Sequence, residues 1–323
     1  LSDEGRVILI VDALNLFTRH YVAHPAITAN GEHAGGIVGF LYAIIDLIER
    51  YKPEQIIVVW EGGGSVRKRA IFKEYKQHRR PVKLNRYYEK DLPDTVQNRN
   101  HQISTLVSLI ENIPVCQIYV PDCEADDVIG YLCRYRFADQ RKLIASSDHD
   151  FYQLLDSNTI IYSPTWKKIV TSNEVREKFK ISPANFCLAK SVCGDPSDNI
   201  DGVNGVGFKT LAKRFPDMGE KQSMNVSQIV EQAEKAVQEG SKVKAFQNII
   251  NSKEKIERNW RLIYLGTSNL AASQIKRINE IVDTFSPVKN KMQMMRMLIH
   301  EGIQTFNVDR VFLALNYVNI KKT

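Results

Sequence analysis

The 323-residue chain is 43% hydrophobic and 25% charged, with a formal net charge of +7, the composition of a globular protein of one large or two ordinary domains. No apolar run approaches the roughly 18 residues of a membrane helix, and the first residues, LSDEGRVILIVD, do not read as a secretory signal. A pI near 9.0 points to an acidic partner, most often nucleic acid, and five cysteines without a C-x-x-C pair argue against a disulfide framework or a zinc site.

In chain order, RVILIVD (6–12), QIIVVWE (55–61), CQIYVPD (116–122) and RKLIASSD (141–148) read as buried strands. Helical patterns lie between them, at 35–51 and 98–113. Near-continuous apolar strands alternating with helices predict an α/β fold with a mainly parallel sheet covered on both faces. From about residue 190 the character changes to a glycine cluster, GDPSDNIDGVNGVGFKT (194–210), followed by charged helical sequence such as 226–240 and 289–302. We therefore expect an α/β domain over 1–190 and a helical region over 191–323. The Met cluster in 289–302 is expected to serve as helix core.

The strand ends carry acids. Asp12, Glu61 and Asp148 each close an apolar run, and Glu124 follows the third run within CEADDVIGYL. Ligands of open α/β sheets bind outside the carboxyl ends of the strands, so these four acids are expected on one rim. Asp126, Asp127, Asp150, Asp195 and Asp198 lie close by in sequence. Nine carboxylates exceed the needs of one hard divalent ion and suit two neighbouring ones, the arrangement that hydrolyses phosphodiesters. Capping of the helix that starts at EADD accounts for one acid there and not for three. On that helix Glu124 and Asp127 share a face, while Asp126 points away.

Basic residues follow Glu61. Arg69, Lys73, Lys76 and Arg80 fall at helical spacing and predict a cationic stripe able to track phosphates. Arg67, Lys68, Arg79, Lys83 and Lys209 complete the set expected to contact nucleic acid. Gly202, Gly205 and Gly207 predict a tight turn whose amides approach a phosphate and read backbone rather than bases.

Taken together, VDALNLF (11–17), VVWEGGGSVRKRAIFKEYKQHR (58–79), CEADDVIGYL (123–132), ASSDHDFYQLL (145–155) and GDPSDNIDGVNGVGFKT (194–210) resemble the bacteriophage and bacterial 5′ nucleases, or flap endonucleases. That group includes the nuclease domain of DNA polymerase I and the phage RNase H enzymes. The resemblance implies a PIN-like fold in which Asp12, Glu61, Glu124, Asp126 and Asp127 lie near one ion, and Asp150, Asp195 and Asp198 near another. Asp148 lies near both. It implies two Mg²⁺ ions, replaceable by Mn²⁺, and K⁺ at a helix-hairpin-helix variant over 194–215. It also implies that Lys76 is an active-site lysine at the base of a helical arch spanning 77–100. Glu61 stands where the family usually has Asp, and Lys68 where Arg is common.

The implied substrates are flapped, nicked or RNA-primed duplex DNA. The implied partners are a polymerase, clamp or single-strand-binding protein. A monomer in the cytoplasm of a bacterial or phage-infected cell is expected. A non-catalytic junction binder of the same fold and a PIN-type RNase are the alternatives.

Overall fold

The computed structural model describes residues 7–77, 96–220 and 222–318. Arg79, Arg80, Lys83 and most of the expected arch lie outside these residues. Among the described residues, no helix is long and apolar enough to cross a membrane.

The first strand, β1 (Val7–Asp12), leads into α1 (Ala13–Ala23) and α2 (Gly35–Tyr51), and then β2 (Gln55–Trp60). A short α3 (Val66–Ile71) and α4 (Val96–Ile110) precede β3 (Cys116–Tyr119) and α5 (Ala125–Tyr131). The chain then enters β4 (Arg141–Ala145) and a hairpin of β5 (Thr159–Ser163) and β6 (Lys168–Val170). The sheet order is β3-β2-β1-β4-β5-β6, parallel throughout except for β6.

The Val/Ile runs suit this sheet because both of its faces are dry. Leu9 and Val11 of β1 join a core with α1, α2 and α4, whereas Ile8 and Ile10 join a second core on the opposite face with α5. The chain winds outward from β1 through β2 to β3, then returns to place β4 on the other side of β1. That reversal between β1 and β4 is the switch point at which doubly wound sheets open a crevice.

Next come α6 (Ser172–Phe179) and α7 (Pro183–Cys193), a two-stranded ribbon of β7 (Gly194–Asp195) and β8 (Ile200–Asp201), and α8 (Phe208–Arg214). With α9 (Val226–Gln238), α10 (Lys244–Ile250) and α11 (Lys253–Ile263), this segment builds a third core around Leu211, Ile229 and Phe246. The last helices come back to the sheet. Ile278 and Val282 of α12 (Ala272–Asp283) pack in the second core. Met294 and Leu298 of α13 (Lys291–His300) and Val311 of α14 (Val308–Ala314) pack in the first. Met294 is thus core, but Met292 on the same helix is exposed.

The cationic stripe is not formed as expected. Helix α3 stops at Ile71, and residues 73–77 form turns in which Lys76 takes a left-handed conformation (φ 58°). Phe72 and Tyr75 pack inward against Cys187, Ile200 and Leu262, which pulls the chain out of helical register.

Candidate active site

Asp12 ends β1 and caps α1, its side chain accepting from the Asn15 N–H at 3.2 Å and from Ser146 Oγ at 3.0 Å. Burial pushes its carboxyl up to about 7, opposed by the Asn15 N–H and reinforced by the nearby charges of Asp148 and Glu61. Asp148 follows β4 and caps the next turn through the Asp150 N–H (2.8 Å). Burial raises Asp126 well above the usual carboxylate range, and the charges of Asp148 and Asp12 add to the effect. Asp126 thus lies within reach of the charges of Asp148 and Asp12.

Glu124 sits at the N-cap position of α5 but makes no side-chain cap hydrogen bond, so its role is not capping. Three donors converge on it: Lys68 Nζ at 2.8 Å, Tyr75 Oη at 2.9 Å and Lys76 Nζ at 2.6 Å. Burial alone would raise its pKa, but the two ammoniums outweigh burial and hold Glu124 at about 2. Glu61 reaches the same helix end, accepting from the Ala125 N–H at 3.3 Å, a span suited to its extra methylene.

Asp150, Asp195 and Asp198 form the other half, with carboxylate oxygens all within 4.8 Å of one another. Trans ligands of an octahedral Mg²⁺ lie about 4.2 Å apart, so this spacing suits a shared hard cation. Burial pushes Asp150 up to about 7, even though Lys190 Nζ bonds it directly. The same ammonium donates to Asp195 at 2.6 Å. Asp198 accepts from Tyr75 Oη (3.3 Å), and Lys76 Nζ lies 3.7 Å from it, which ties the two halves together.

Two expected roles change. Asp127 is 0% exposed, its oxygens held by Lys68 Nζ (3.0 Å) and Asn269 Nδ2 (3.3 Å), so it positions α5 rather than facing the crevice. Lys68, 2% exposed and paired with Glu124 and Asp127, is an internal counter-ion and not a surface contact for phosphate. Arg67, by contrast, is exposed, and it donates to the Ser268 carbonyl at 3.2 Å.

Lys190 and Tyr75 were missed from sequence. Lys190 lies inside an otherwise apolar helical run, FCLAKSVC, and a lone lysine there is the signal that could have revealed a buried ammonium. Breaking a buried pair leaves an uncompensated charge worth about 3–5 kcal/mol. Lys190→Met should therefore lower the melting temperature of the metal-free protein, and added Mg²⁺ should recover part of the loss. An unchanged melting temperature in EDTA would contradict the pairing.

The glycine turn divides into two parts. A Cβ on Gly202 would lie 2.1 Å from the Cys193 carbonyl oxygen, so Gly202 serves the β7–β8 ribbon and not a ligand. A Gly202→Ala change should destabilise the fold by about 2–4 kcal/mol, read by denaturant melts, with a loss under 0.5 kcal/mol counting against the close approach. Gly205 (φ 71°) and Gly207 have nothing within 4 Å of a built Cβ and leave the backbone open to a partner. Lys209 follows on the first turn of α8.

The donor set is hard oxygen throughout, and burial holds three of its carboxylates, Asp12, Asp126 and Asp150, above their ordinary range. Buried acids in that condition fit divalent cations that neutralise them. All five cysteines are free thiols, four of them buried.

The family model described as the 5′-3′ exonuclease N-terminal resolvase-like domain matches residues 7–180. A 5′-3′ exonuclease of Buchnera aphidicola is 32% identical over 207 residues, 63% of this chain and 68% of the relative. One from Aquifex aeolicus is 26% identical over 310 residues, 95% of this chain and 96% of the relative. Among solved structures, the bacteriophage T5 flap endonuclease in complex with DNA and metal ions shares the fold, with a TM-score of 0.67 and 22% identity, covering 86% of this chain and 98% of that one. Because the matched span takes in β1 to α6 and hence every strand of the acid-bearing sheet, the chain belongs to the 5′-3′ exonuclease family.

Proposed function

We propose that the protein is a structure-specific 5′ nuclease that hydrolyses phosphodiester bonds at 5′ flaps, nicks or RNA-primer junctions, using two divalent ions, Mg²⁺ or in its place Mn²⁺. The observation that carries this is the convergence of acidic side chains at the switch point of the sheet, with Asp150, Asp195 and Asp198 each bringing a carboxylate oxygen within 4.8 Å of the others. Asp12, Glu61, Glu124, Asp126 and Asp148 would hold one ion and Asp148, Asp150, Asp195 and Asp198 the other. When bound, the ions supply neutralising charge and a water of lowered pKa for in-line attack on phosphorus.

The chain's own groups do the rest. Lys76 Nζ, poised between Glu124 and Asp198, donates to the phosphoryl oxygens as negative charge develops on them. Tyr75 orients Glu124 and Asp198 through one hydroxyl. Lys68 and Asn269 fix α5 through Asp127, and Lys190 keeps Asp150 and Asp195 together. Arg67, Arg69, Lys73, Arg79, Arg80, Lys83 and Lys209, with Gly205 and Gly207, are assigned to the DNA backbone. K⁺ is assigned to the carbonyls of the glycine turn.

Replication or repair is the implied setting, since DNA polymerase I of Bacillus subtilis is among the relatives. A polymerase, clamp or single-strand-binding protein is the expected partner of a monomeric, cytoplasmic enzyme. The experiment is a substrate panel in Mg²⁺: a 5′-flap, a nicked duplex, an RNA-primed duplex, a 3′-flap and plain single-stranded RNA. Preference for the first three supports the reading. Equal activity on single-stranded RNA would mark a PIN-type RNase, and binding without cleavage a junction binder.

A further inference from the structure

The β5–β6 hairpin carries a feature that the carboxylate site does not use. Its turn, residues 164–167, is pinned beside the acid rim: Thr165 Oγ1 lies 2.7 Å from Ser147 Oγ and accepts from Arg19 Nη1 at 3.1 Å. Ser147 immediately precedes Asp148. At the tip of the hairpin Trp166 is 44% exposed. A single exposed aromatic needs no explanation by itself. Its surroundings do.

Lys178 Nζ lies 4.6 Å and Lys168 Nζ 5.7 Å from the Trp166 ring centre. The His149 ring, next in sequence to Asp148, is 5.9 Å from Trp166 and 6.3 Å from Phe179. Phe179 in turn lies 5.1 Å from Phe208, the first residue of α8 after the glycine turn. A line of rings thus joins the acid rim to the glycine turn, and its solvent-facing end is a tryptophan with two ammoniums over it. A groove of about 710 Å³ opens between this ring and α6.

An exposed aromatic ring flanked by cations is the chemistry that takes an unpaired nucleobase together with its neighbouring phosphates; a duplex hides its base faces. Of the two cations, Lys168 is 3.9 Å from Glu174 and partly neutralised, which leaves Lys178 as the stronger phosphate contact. We propose that Trp166, with Lys178 and Lys168, forms a stacking site for an unpaired nucleobase of the substrate strand, next to the phosphate positioned at Asp148. This site rests on the nuclease reading above and adds a determinant of which junctions are cleaved.

The test uses the full chain on a 5′-flap substrate, comparing wild type, Trp166→Ala and Trp166→Tyr. A companion series of substrates carries one abasic site at successive positions around the cleavage point. Loss of one stacked base costs about tenfold in binding, so Trp166→Ala should raise KM about tenfold and leave kcat nearly unchanged, with Tyr restoring most of the loss. One abasic position should raise the wild-type KM by the same factor and have no further effect on Trp166→Ala. A purely structural tryptophan would not show that non-additivity. An unchanged KM in Trp166→Ala, or equal abasic penalties in both proteins, overturns the stacking site. Failure of the wild type to cleave any substrate overturns the nuclease reading instead. In that event the same oligonucleotides bound in EDTA apply the same tenfold criterion to the stacking site.

Discussion

Asp148→Asn is expected to slow cleavage of a 5′-flapped duplex by at least about a thousandfold, roughly 4 kcal/mol of lost transition-state stabilisation, while duplex affinity stays within about threefold. The reason is its place in the charge network. The charge of Asp148 acts on Asp12, on Asp126 and on Asp150, so it belongs to both halves of the site. Asparagine keeps the shape and still offers an oxygen to the Asp150 N–H that Asp148 now caps at 2.8 Å. Only the charge is lost. Single-turnover cleavage and equilibrium binding on the same substrate separate the two effects, and near-normal turnover would remove Asp148 from the site.

Lys76→Ala should lower the single-turnover rate at saturating DNA by about a hundredfold to a thousandfold, the range seen when one aimed donor is removed from developing charge. Lys76 is held for that task by the left-handed turn at φ 58°, which lifts it from the end of α3 over Glu124 and Asp198. Its removal leaves Glu124 still paired with Lys68 at 2.8 Å, so the fold should survive. Melting curves check that survival. A rise in KM with an unchanged rate at saturation would make Lys76 a binding residue only.

The sheet and its acid rim were legible because each rests on local sequence. Runs such as VILIVD and QIIVVW can be satisfied only by burial on both faces, and the acids that end them mark the carboxyl edge. What failed was decided by tertiary contacts. The spacing of Arg69, Lys73 and Lys76 fits a helix, but Phe72 and Tyr75 gain more by entering the cluster with Cys187 and Leu262. Lys68 read as a surface cation because nothing nearby in sequence shows that Glu124 and Asp127, over 50 positions away, will surround it. Gly202 read as a phosphate contact, since a close approach to the Cys193 carbonyl and to a ligand make the same demand on the residue. Trp166 gave no sequence signal at all: its neighbours Lys178 and His149 are brought together only by the hairpin and α6.

The central claim is that the carboxylates of the β1–β4 crevice act through bound divalent ions to cut at a 5′ junction. The direct measurement is the cleavage rate of a labelled 5′-flap substrate by the wild-type chain, first in EDTA and then across a Mg²⁺ titration. The account predicts no cleavage in EDTA, a rate that rises with Mg²⁺ in a curve requiring more than one ion, and a product bearing a 5′-phosphate. Cleavage that persists undiminished in EDTA, or none at saturating Mg²⁺ or Mn²⁺, would contradict it.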